Sequence, residues 1–272
     1  MIIDGRSIAQ EMIKKITTQT IQKKFLCVFS VGKNDASIGF IHQKKKIADI
    51  LGVDFQVLTF SEEIQEEEIK KKIRDFGKDD MCGGIIVQLP LPAHIKKENI
   101  LDEIPYKKDV DVLSKKAYEF FLNEQEPIPP AVGVFCEVLS HYQVLRNVSR
   151  ETNLKFAVIG NGFLVGRPIV DYLNMMGRCV SVFDKGDVVQ IKDIDVVVLG
   201  AGAPHLISGD MVKSGALVID FGCSFINEKL CGDFNPSNVD DIFYTPTPGG
   251  TGPMLVTKLF ENFYHLNKVF IN

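Results

Sequence analysis

Short apolar runs alternate with amphipathic stretches along most of the chain. The apolar runs predict buried strands at residues 25–31, 54–59, 84–87, 155–159, 179–183, 195–199 and 216–220. Between them, helices are predicted at 7–20, with Ser7 as the N-cap, and at 37–52, 62–76, 132–145, 164–176 and 253–270. Strands that alternate with helices are typical of α/β proteins with mainly parallel sheets, so this is the predicted fold class.

The length of 272 residues favours two domains, because a single core rarely keeps growing at this size. A turn-rich segment at 89–130 marks the predicted boundary. We predict two α/β domains flanking a cleft: residues 1–125, completed by a C-terminal helix at 254–272, and residues 126–253. The second is expected to be a dinucleotide-binding, Rossmann-type domain with a doubly wound parallel sheet.

The helix predicted at 37–52 has a lysine in the middle of its apolar side. That side comprises Phe40, Ile47, Ala48 and Leu51. Lys44 projects from its centre, whereas Lys45 and Lys46 turn toward the edge or the back. Burying an unpaired ammonium is costly, so Lys44 either reaches water or lines a ligand cavity. In a cavity, partial desolvation would lower its pKa and suit it to proton transfer.

Three glycines follow the strand at 155–159 and precede the next helix, in the sequence KFAVIGNGFLVGRP. Gly160, Gly162 and Gly166 allow a tight turn, and the free amides at a helix N-terminus can receive a pyrophosphate. Their G-x-G-x-x-x-G spacing is one residue longer than the common dinucleotide fingerprint. The same glycines would also serve simple packing of a strand against a helix.

Asp184 and Lys185 end the next predicted strand, roughly twenty residues after the last glycine, where cofactor specificity is usually set. An acid there commonly binds the adenosine ribose diol of NAD, whereas a base accepts the 2′-phosphate of NADP. The presence of both leaves the choice open. Either side chain could equally belong to a solvated turn.

Three further stretches offer polar or flexible groups. Gln88 ends an apolar strand in GGIIVQLPLP, at the strand end where α/β proteins bind ligands. Asp109 and Asp111 lie in KDVD, and TPTPGGTGP at 245–253 can present backbone amides to a flat ligand. Each also has a structural interpretation: Gln88 could satisfy backbone groups, the aspartates could cap a turn, and the last stretch could be a simple connection.

Composition restricts the partners. The 31 basic and 35 acidic side chains give a net charge of −4, which argues against nucleic acid bound through phosphate neutralisation. The six cysteines are scattered singly, so neither a metal site nor a disulfide framework is expected. No apolar run approaches the ~20 residues of a membrane span, and the N-terminus is charged too early for a secretory signal. We expect a cytoplasmic protein with reduced thiols and no membrane partner.

Several motifs together resemble one family, the bifunctional methylenetetrahydrofolate dehydrogenases and methenyltetrahydrofolate cyclohydrolases. The matching stretches are IIDGRSIAQ at 2–10, VGKNDAS at 31–37, IIVQLPLP at 85–92, KDVD at 108–111, VGRP at 165–168 and TPTPGGTGP at 245–253. The resemblance implies oxidation of 5,10-methylenetetrahydrofolate to the methenyl form by NADP or NAD, then hydrolysis to 10-formyltetrahydrofolate. It also implies a role in one-carbon metabolism and purine biosynthesis, and a homodimer.

The same resemblance implies roles for individual residues. Lys44 matches the catalytic lysine of the family's Y-x-x-x-K motif, Gln88 holds and tunes its amine, and Asp111 grips the pterin in the cleft between the domains. The other implied substrate contacts are Phe40, Leu89, Pro90, Pro248, Gly249 and Gly250. The implied cofactor contacts are Gly160, Asn161, Gly162, Gly166, Asp184, Lys185 and Cys223, and no metal is implied.

Some positions depart from the family pattern. Phe40 stands where tyrosine is usual, which keeps an aromatic ring for the pterin but loses a hydroxyl. Val112 replaces a usual glycine, Leu255 a usual threonine and Gly162 a usual serine, and PPAVG at 129–133 replaces a Cys-Thr-Pro-x-Gly stretch. Two alternatives therefore stay open: a dehydrogenase without effective cyclohydrolase activity, and a non-catalytic folate- or nucleotide-binding paralogue.

Overall fold

A computed structural model describes residues 1–32, 35–124, 126–147, 149, 153–184, 187, 190–227, 229–237 and 241–269. Its helices are α1 (Gly5–Thr17), α2 (Asp35–Leu51), α3 (Glu66–Lys78), α4 (Lys97–Leu101), α5 (Lys115–Glu124), α6 (Pro130–Arg146), α7 (Gly166–Met175) and α8 (Thr251–Leu266). Its strands are β1 (Phe25–Val31), β2 (Asp54–Phe60), β3 (Cys82–Val87), β4 (Phe156–Ile159), β5 (Val180–Phe183), β6 (Val196–Leu199), β7 (Ile207–Ser208), β8 (Leu217–Asp220), β9 (Ser224–Ile226), β10 (Lys229–Cys231), β11 (Phe234–Asn235) and β12 (Phe243–Tyr244). The predicted α/β fold class is confirmed.

The chain divides into two compact units. One comprises Met1–Gln10 and Ala131–Leu255, and the other comprises Glu11–Pro130 and Val256–Asn272. We call the first the glycine-turn unit, because it contains Gly160 and its neighbours, and the second the lysine unit, because it contains Lys44. The division falls inside both α1 and α8.

The lysine unit is built on a three-stranded parallel sheet in the order β2–β1–β3. β1 is central, and all its residues after Phe25 are buried, as expected for a parallel strand covered on both faces. The core around this sheet includes five buried side chains of the last helix, namely Val256, Leu259, Phe260, Phe263 and Tyr264. The apolar face of α8 is therefore buried in this unit.

The glycine-turn unit contains a five-stranded parallel sheet in the order β12–β8–β6–β4–β5. The chain adds β5 on one side of β4 and β6 on the other, so the order reverses between β4 and β6. In doubly wound sheets, ligands bind beyond the carboxyl ends of the strands at such a switch point. The predicted Rossmann-type sheet is confirmed, and it places the loops after β4, β6 and β8 at one edge.

The structure differs from the sequence predictions at several elements. Ser7 is not the cap of α1: the carboxylate of Asp4 accepts hydrogen bonds from the Arg6 amide at 3.0 Å and the Ser7 hydroxyl at 2.6 Å, and the helix begins at Gly5. The segment 89–130 contains the helices α4 and α5 as well as turns. Strands of two or three residues, such as the antiparallel β9–β10 hairpin, were missed because their patterns are too short to show periodicity.

Candidate functional site

Lys44 lies in the middle of α2 with only 8% of its surface exposed. Its Nζ donates a hydrogen bond to Oε1 of Gln88 at 2.7 Å. Burial lowers the pKa of Lys44, and the carboxylate of Asp111 partly opposes this shift. The next residue, Lys45, is exposed and pairs with Asp49 at 2.7 Å. Lys44 is therefore a buried, hydrogen-bonded amine and not a solvated side chain.

Gln88 follows β3, and hydrogen bonds fix both its backbone and its side-chain amide. Its backbone N–H donates to the Phe29 carbonyl at 2.8 Å, which extends the pairing with β1 by one residue. Its Nε2 donates to the carbonyl of Leu89 at 2.8 Å, so Oε1 is left facing Lys44. A rigid neutral acceptor of this kind holds the amine in place without adding charge.

Asp109 supports the KDVD loop from inside. It is fully buried, and its Oδ2 accepts the backbone N–H groups of Leu113 at 3.0 Å and Ser114 at 2.7 Å. Its Oδ1 has no hydrogen-bond partner among the described residues. Burial raises the pKa of Asp109. This aspartate has the turn-capping role that the sequence left open for KDVD.

Asp111 is half-buried, and its charge and that of Lys44 act on each other's pKa. Burial raises the pKa of Asp111 to about 6; the Lys44 ammonium opposes this rise, and the charge of Asp109 adds to it. The pKa of a carboxyl and that of an amine are thus both moved toward neutrality in one place. Two titratable groups whose pKa values are shifted toward each other are typical of sites that transfer protons.

Val112 has a backbone conformation that suits glycine. Its φ is +57°, in the left-handed region that a β-branched residue rarely adopts. Only 1% of its surface is exposed. The family's usual glycine at this position would adopt this conformation without strain. Val112 therefore places backbone strain in the loop that contains Asp111.

We expect the unfolding free energy of Val112→Gly to exceed that of Val112→Ala by about 1 kcal/mol, because alanine keeps the backbone strain and glycine does not. Urea denaturation measures this difference, and Val112→Gly should unfold at the higher urea concentration. Val110 is the matched control, because it is buried in the same loop but is not among the residues with positive φ. There the usual order should hold, with Val110→Ala more stable than Val110→Gly. The same order at both positions would contradict a strained Val112.

The predicted substrate residues fall in both units. Phe40 lies one turn before Lys44 on α2 and is 39% exposed. Leu89 is half-buried and Pro90 is exposed, and both directly follow Gln88, the partner of Lys44. Phe40, Leu89 and Pro90 therefore lie close to Lys44 along the chain or in the fold. The other predicted substrate residues belong to the glycine-turn unit, in the turn before α8: Pro248, Gly249 and Gly250.

The glycine turn has the tight geometry that a dinucleotide site needs. Gly160 has φ +91°, and a Cβ there would lie 2.6 Å from the Cα of Ala201. A Cβ on Gly166, the first residue of α7, would overlap the carbonyl oxygen of Gly160. Gly162 is exposed, and no described atom lies within 4 Å of a Cβ built on it. The turn is closed within the protein and open at its surface, which fits a pyrophosphate at the start of α7.

Two predicted cofactor residues are joined at the edge of the sheet. The backbone N–H of Asn161 donates to Oδ1 of Asp184 at 3.1 Å, across the carboxyl ends of β4 and β5. Lys185 lies outside the described residues, so its part in the choice between NAD and NADP stays a prediction. Cys223 is exposed on the loop after β8; burial raises the pKa of its thiol, and the charges of Asp220 and Asp233 raise it further.

Three buried polar residues that fix loops by hydrogen bonds to backbone groups were not predicted from the sequence. Asn262 of α8 donates from its amide to the carbonyls of Val110 and Ile128, each at 2.8 Å, and so holds the KDVD loop. Asp220 and Asp233 are almost fully buried in the glycine-turn unit. One signal was available: Asp220 is the single polar residue at the carboxyl end of the apolar run LVID.

The described residues contain no group of three or more His, Cys, Asp or Glu side chains placed to hold a metal ion. In the same part of the chain, no helix has the length and apolar character needed to cross a membrane.

Two family models match the chain; the first ends inside the turn-rich segment and the second begins after it. Residues 3–111 match the catalytic domain of tetrahydrofolate dehydrogenase/cyclohydrolase, and residues 135–270 match its NAD(P)-binding domain. The chain belongs to the tetrahydrofolate dehydrogenase/cyclohydrolase family. The resemblance stated from the motifs is thereby confirmed, and the chain is an NAD(P)-dependent methylenetetrahydrofolate dehydrogenase/cyclohydrolase of folate one-carbon metabolism.

Individual members of the tetrahydrofolate dehydrogenase/cyclohydrolase family match over nearly the whole chain. The bifunctional protein FolD of Helicobacter pylori strain J99 is 34% identical, over 96% of this chain and 93% of its own length. The bifunctional protein FolD of Listeria innocua is 31% identical, over 96% of this chain and 95% of its own length. The crystal structure of the bifunctional FolD enzyme from Campylobacter jejuni covers 98% of each chain at 29% identity, with a TM-score of 0.90.

Proposed function

We propose that Lys44, Gln88 and Asp111 form the catalytic centre that serves both reactions of this enzyme. The observation that supports it is the buried Lys44 amine, which Gln88 holds at 2.7 Å and which interacts electrostatically with Asp111, an aspartate whose pKa burial raises to about 6. Burial lowers the pKa of this amine and so favours its neutral form, which is the form that can accept a proton.

In the oxidation step, the methylene bridge of 5,10-methylenetetrahydrofolate loses a hydride and becomes the methenyl cation. Bound NAD(P)⁺ supplies the hydride acceptor. The contribution of the protein is electrostatic: the lowered pKa of Lys44 favours its neutral form, which does not repel the cation that forms, and the Asp111 carboxylate attracts that cation. Gln88 holds Lys44 in place without adding positive charge.

In the hydrolysis step, water adds to the methenyl carbon and Lys44 accepts the proton that the water loses. The bond from that carbon to N5 then breaks, N5 receives a proton, and the hydroxyl becomes the carbonyl of 10-formyltetrahydrofolate. One proton is released overall. Lys44 is the group placed to take the proton from water and to deliver a proton to N5, because its Nζ is both buried and fixed by a hydrogen bond.

The remaining assignments follow the same proposal. The substrate contacts are Phe40, Leu89, Pro90, Pro248, Gly249 and Gly250, and the cofactor contacts are Gly160, Asn161, Gly162, Gly166, Asp184, Lys185 and Cys223. We assign folate binding to residues 1–125 with 254–272, and cofactor binding to 126–253. Family resemblance and composition support a cytoplasmic homodimer that binds neither nucleic acid nor membrane.

A second candidate is a dehydrogenase with weak cyclohydrolase activity, and Phe40 favours it. The ring is exposed one turn from Lys44, where the family's tyrosine would add a hydroxyl to the proton-transfer network. Hydrolysis depends on that network, whereas hydride transfer does not move a proton. The substitution should therefore affect the two activities unequally.

We expect Phe40→Tyr to raise the rate of methenyltetrahydrofolate hydrolysis three- to tenfold, the effect of about 1 kcal/mol from one added hydrogen bond. Methylenetetrahydrofolate-dependent formation of NADPH or NADH should change less than twofold. The control is Phe120→Tyr, because Phe120 is similarly exposed, at 37%, on α5. Wild-type hydrolysis at the spontaneous rate would favour the second candidate, and no turnover with either cofactor would reject both.

A further inference from the structure

Asp220 joins two segments at the carboxyl edge of the five-stranded sheet. It ends β8 with 1% of its surface exposed. Its Oδ1 accepts the backbone N–H groups of Gly222 at 2.7 Å and Asp233 at 3.2 Å, and its Oδ2 accepts that of Phe234 at 3.0 Å. The turn after β8 is therefore fixed against the segment that leads into β11.

Asp233 extends this network to a third segment. It is fully buried, and its Oδ2 accepts the backbone N–H groups of Ala201 at 2.8 Å and Gly202 at 3.0 Å, in the exposed loop after β6. Its Oδ1 has no hydrogen-bond partner among the described residues. A Cβ on Gly222 would overlap this oxygen, so the carboxylate packs directly on the neighbouring backbone.

The two aspartates lie beneath the loops where half of the cofactor is expected. The glycine turn and Asp184, at the ends of β4 and β5, suit the adenosine half and the pyrophosphate. Across the switch point, the loops after β6 and β8 are left for the nicotinamide half. Burial is the main cause of the raised pKa of the Cys223 thiol in the loop after β8, and the charges of Asp220 and Asp233 raise it further, so both charges act on this loop.

We propose that Asp233, supported by Asp220, positions the loop that holds the nicotinamide end of the cofactor and that its buried charge favours the oxidised over the reduced cofactor. The oxidised ring is positively charged and the reduced ring is neutral. A carboxylate in a poorly solvated place attracts the first and leaves the second nearly unaffected. Weaker binding of the reduced cofactor would assist its release after oxidation of the substrate.

Asp233→Asn separates charge from geometry. A side-chain carbonyl has two lone pairs, so asparagine keeps both hydrogen bonds to Ala201 and Gly202 while its amide takes the place of the unpartnered oxygen. Asp233→Ala removes both charge and hydrogen bonds. Asp195→Asn is the matched control, because Asp195 precedes β6 at the opposite end of the sheet, where its Oδ2 accepts the Lys155 amide at 2.9 Å.

The experiment is titration calorimetry of the full chain at pH 8 with NADP⁺ and NADPH, and in parallel with NAD⁺ and NADH. We expect Asp233→Asn to weaken binding of the oxidised cofactor about three- to tenfold and that of the reduced cofactor less than twofold. Asp233→Ala should weaken binding of both the oxidised and the reduced cofactor more than tenfold. Asp195→Asn should leave both affinities unchanged. An unchanged oxidised-to-reduced ratio in Asp233→Asn would overturn the role of charge, and wild-type affinity in Asp233→Ala would overturn the positioning role.

A second readout needs no cofactor and keeps the proposal testable if Asp233→Ala does not fold. Iodoacetamide should alkylate Cys223 faster in Asp233→Asn than in the wild type, because one of the charges that raise its pKa is gone. Site-resolved mass spectrometry follows the reaction, with the exposed Cys179 as internal control. Equal rates at Cys223 would show that the charge of Asp233 does not reach the loop. Neither measurement depends on Lys44, so the assignment of the catalytic centre stands or falls separately.

Discussion

Lys44→Met is expected to lower the rate of methenyltetrahydrofolate hydrolysis by about a thousandfold, which is within the usual contribution of a positioned acid–base group. Methionine has a similar length and suits a buried position, but it cannot take the proton from the attacking water. Hydride transfer should fall much less, because no proton moves in that step. The measurement is the decay of methenyltetrahydrofolate absorbance, compared with cofactor reduction by the same preparation.

The neighbouring lysine provides the control. Lys45 lies on the same helix, but its side chain is 50% exposed and paired with Asp49. Lys45→Met should therefore keep both activities within about twofold, since a surface ion pair contributes little. Hydrolysis by Lys44→Met at even half the wild-type rate would remove the proposed role of the amine. Thermal unfolding of both variants shows whether any loss comes from the fold.

The fold was largely predictable because its central elements are strongly patterned. β1 begins and ends at the predicted residues, since an apolar run closed by Gly32 has one good interpretation as a buried parallel strand. The start of α1 was wrong by two residues because Ser7 was predicted as the cap, whereas Asp4, three residues earlier, accepts the hydrogen bonds. Propensity alone does not rank such neighbours.

The position of Lys44 on an apolar face was readable from the sequence, but its partner was not readable from spacing. Gln88 is 44 positions away, and the two residues meet only because β3 pairs with β1 beside α2. Family resemblance supplied that pair, and the structure supplied the 2.7 Å bond between them.

The hydrogen-bond partners of the buried aspartates could not be predicted in the same way. Asp220 and Asp233 bind backbone amides, and amides leave no mark in a sequence. Val112 shows a similar limit, because the strain in its backbone appears only as a φ of +57°. In both cases the decisive feature is a backbone geometry that only the folded chain contains.

Gly166→Ala is expected to abolish binding of the nicotinamide cofactor and to lower the unfolding free energy by about 1–3 kcal/mol, the usual cost of overpacking. The added methyl group would overlap the carbonyl oxygen of Gly160 and lie 2.8 Å from the Cα of Asn161. Backbone atoms cannot rotate away as a side-chain end can, so the turn between β4 and α7 has to open. Calorimetric titration with NADP⁺ and NAD⁺ measures the loss.

Gly162→Ala is the matched control in the same turn, because no described atom lies within 4 Å of the added carbon. It should change stability by less than about 0.5 kcal/mol, as exposed substitutions usually do. Hydrolysis of methenyltetrahydrofolate consumes no cofactor, so Gly166→Ala should retain it while losing dehydrogenase activity, the reverse of Lys44→Met. Cofactor binding by Gly166→Ala at wild-type strength would show that the glycine turn is not the cofactor site.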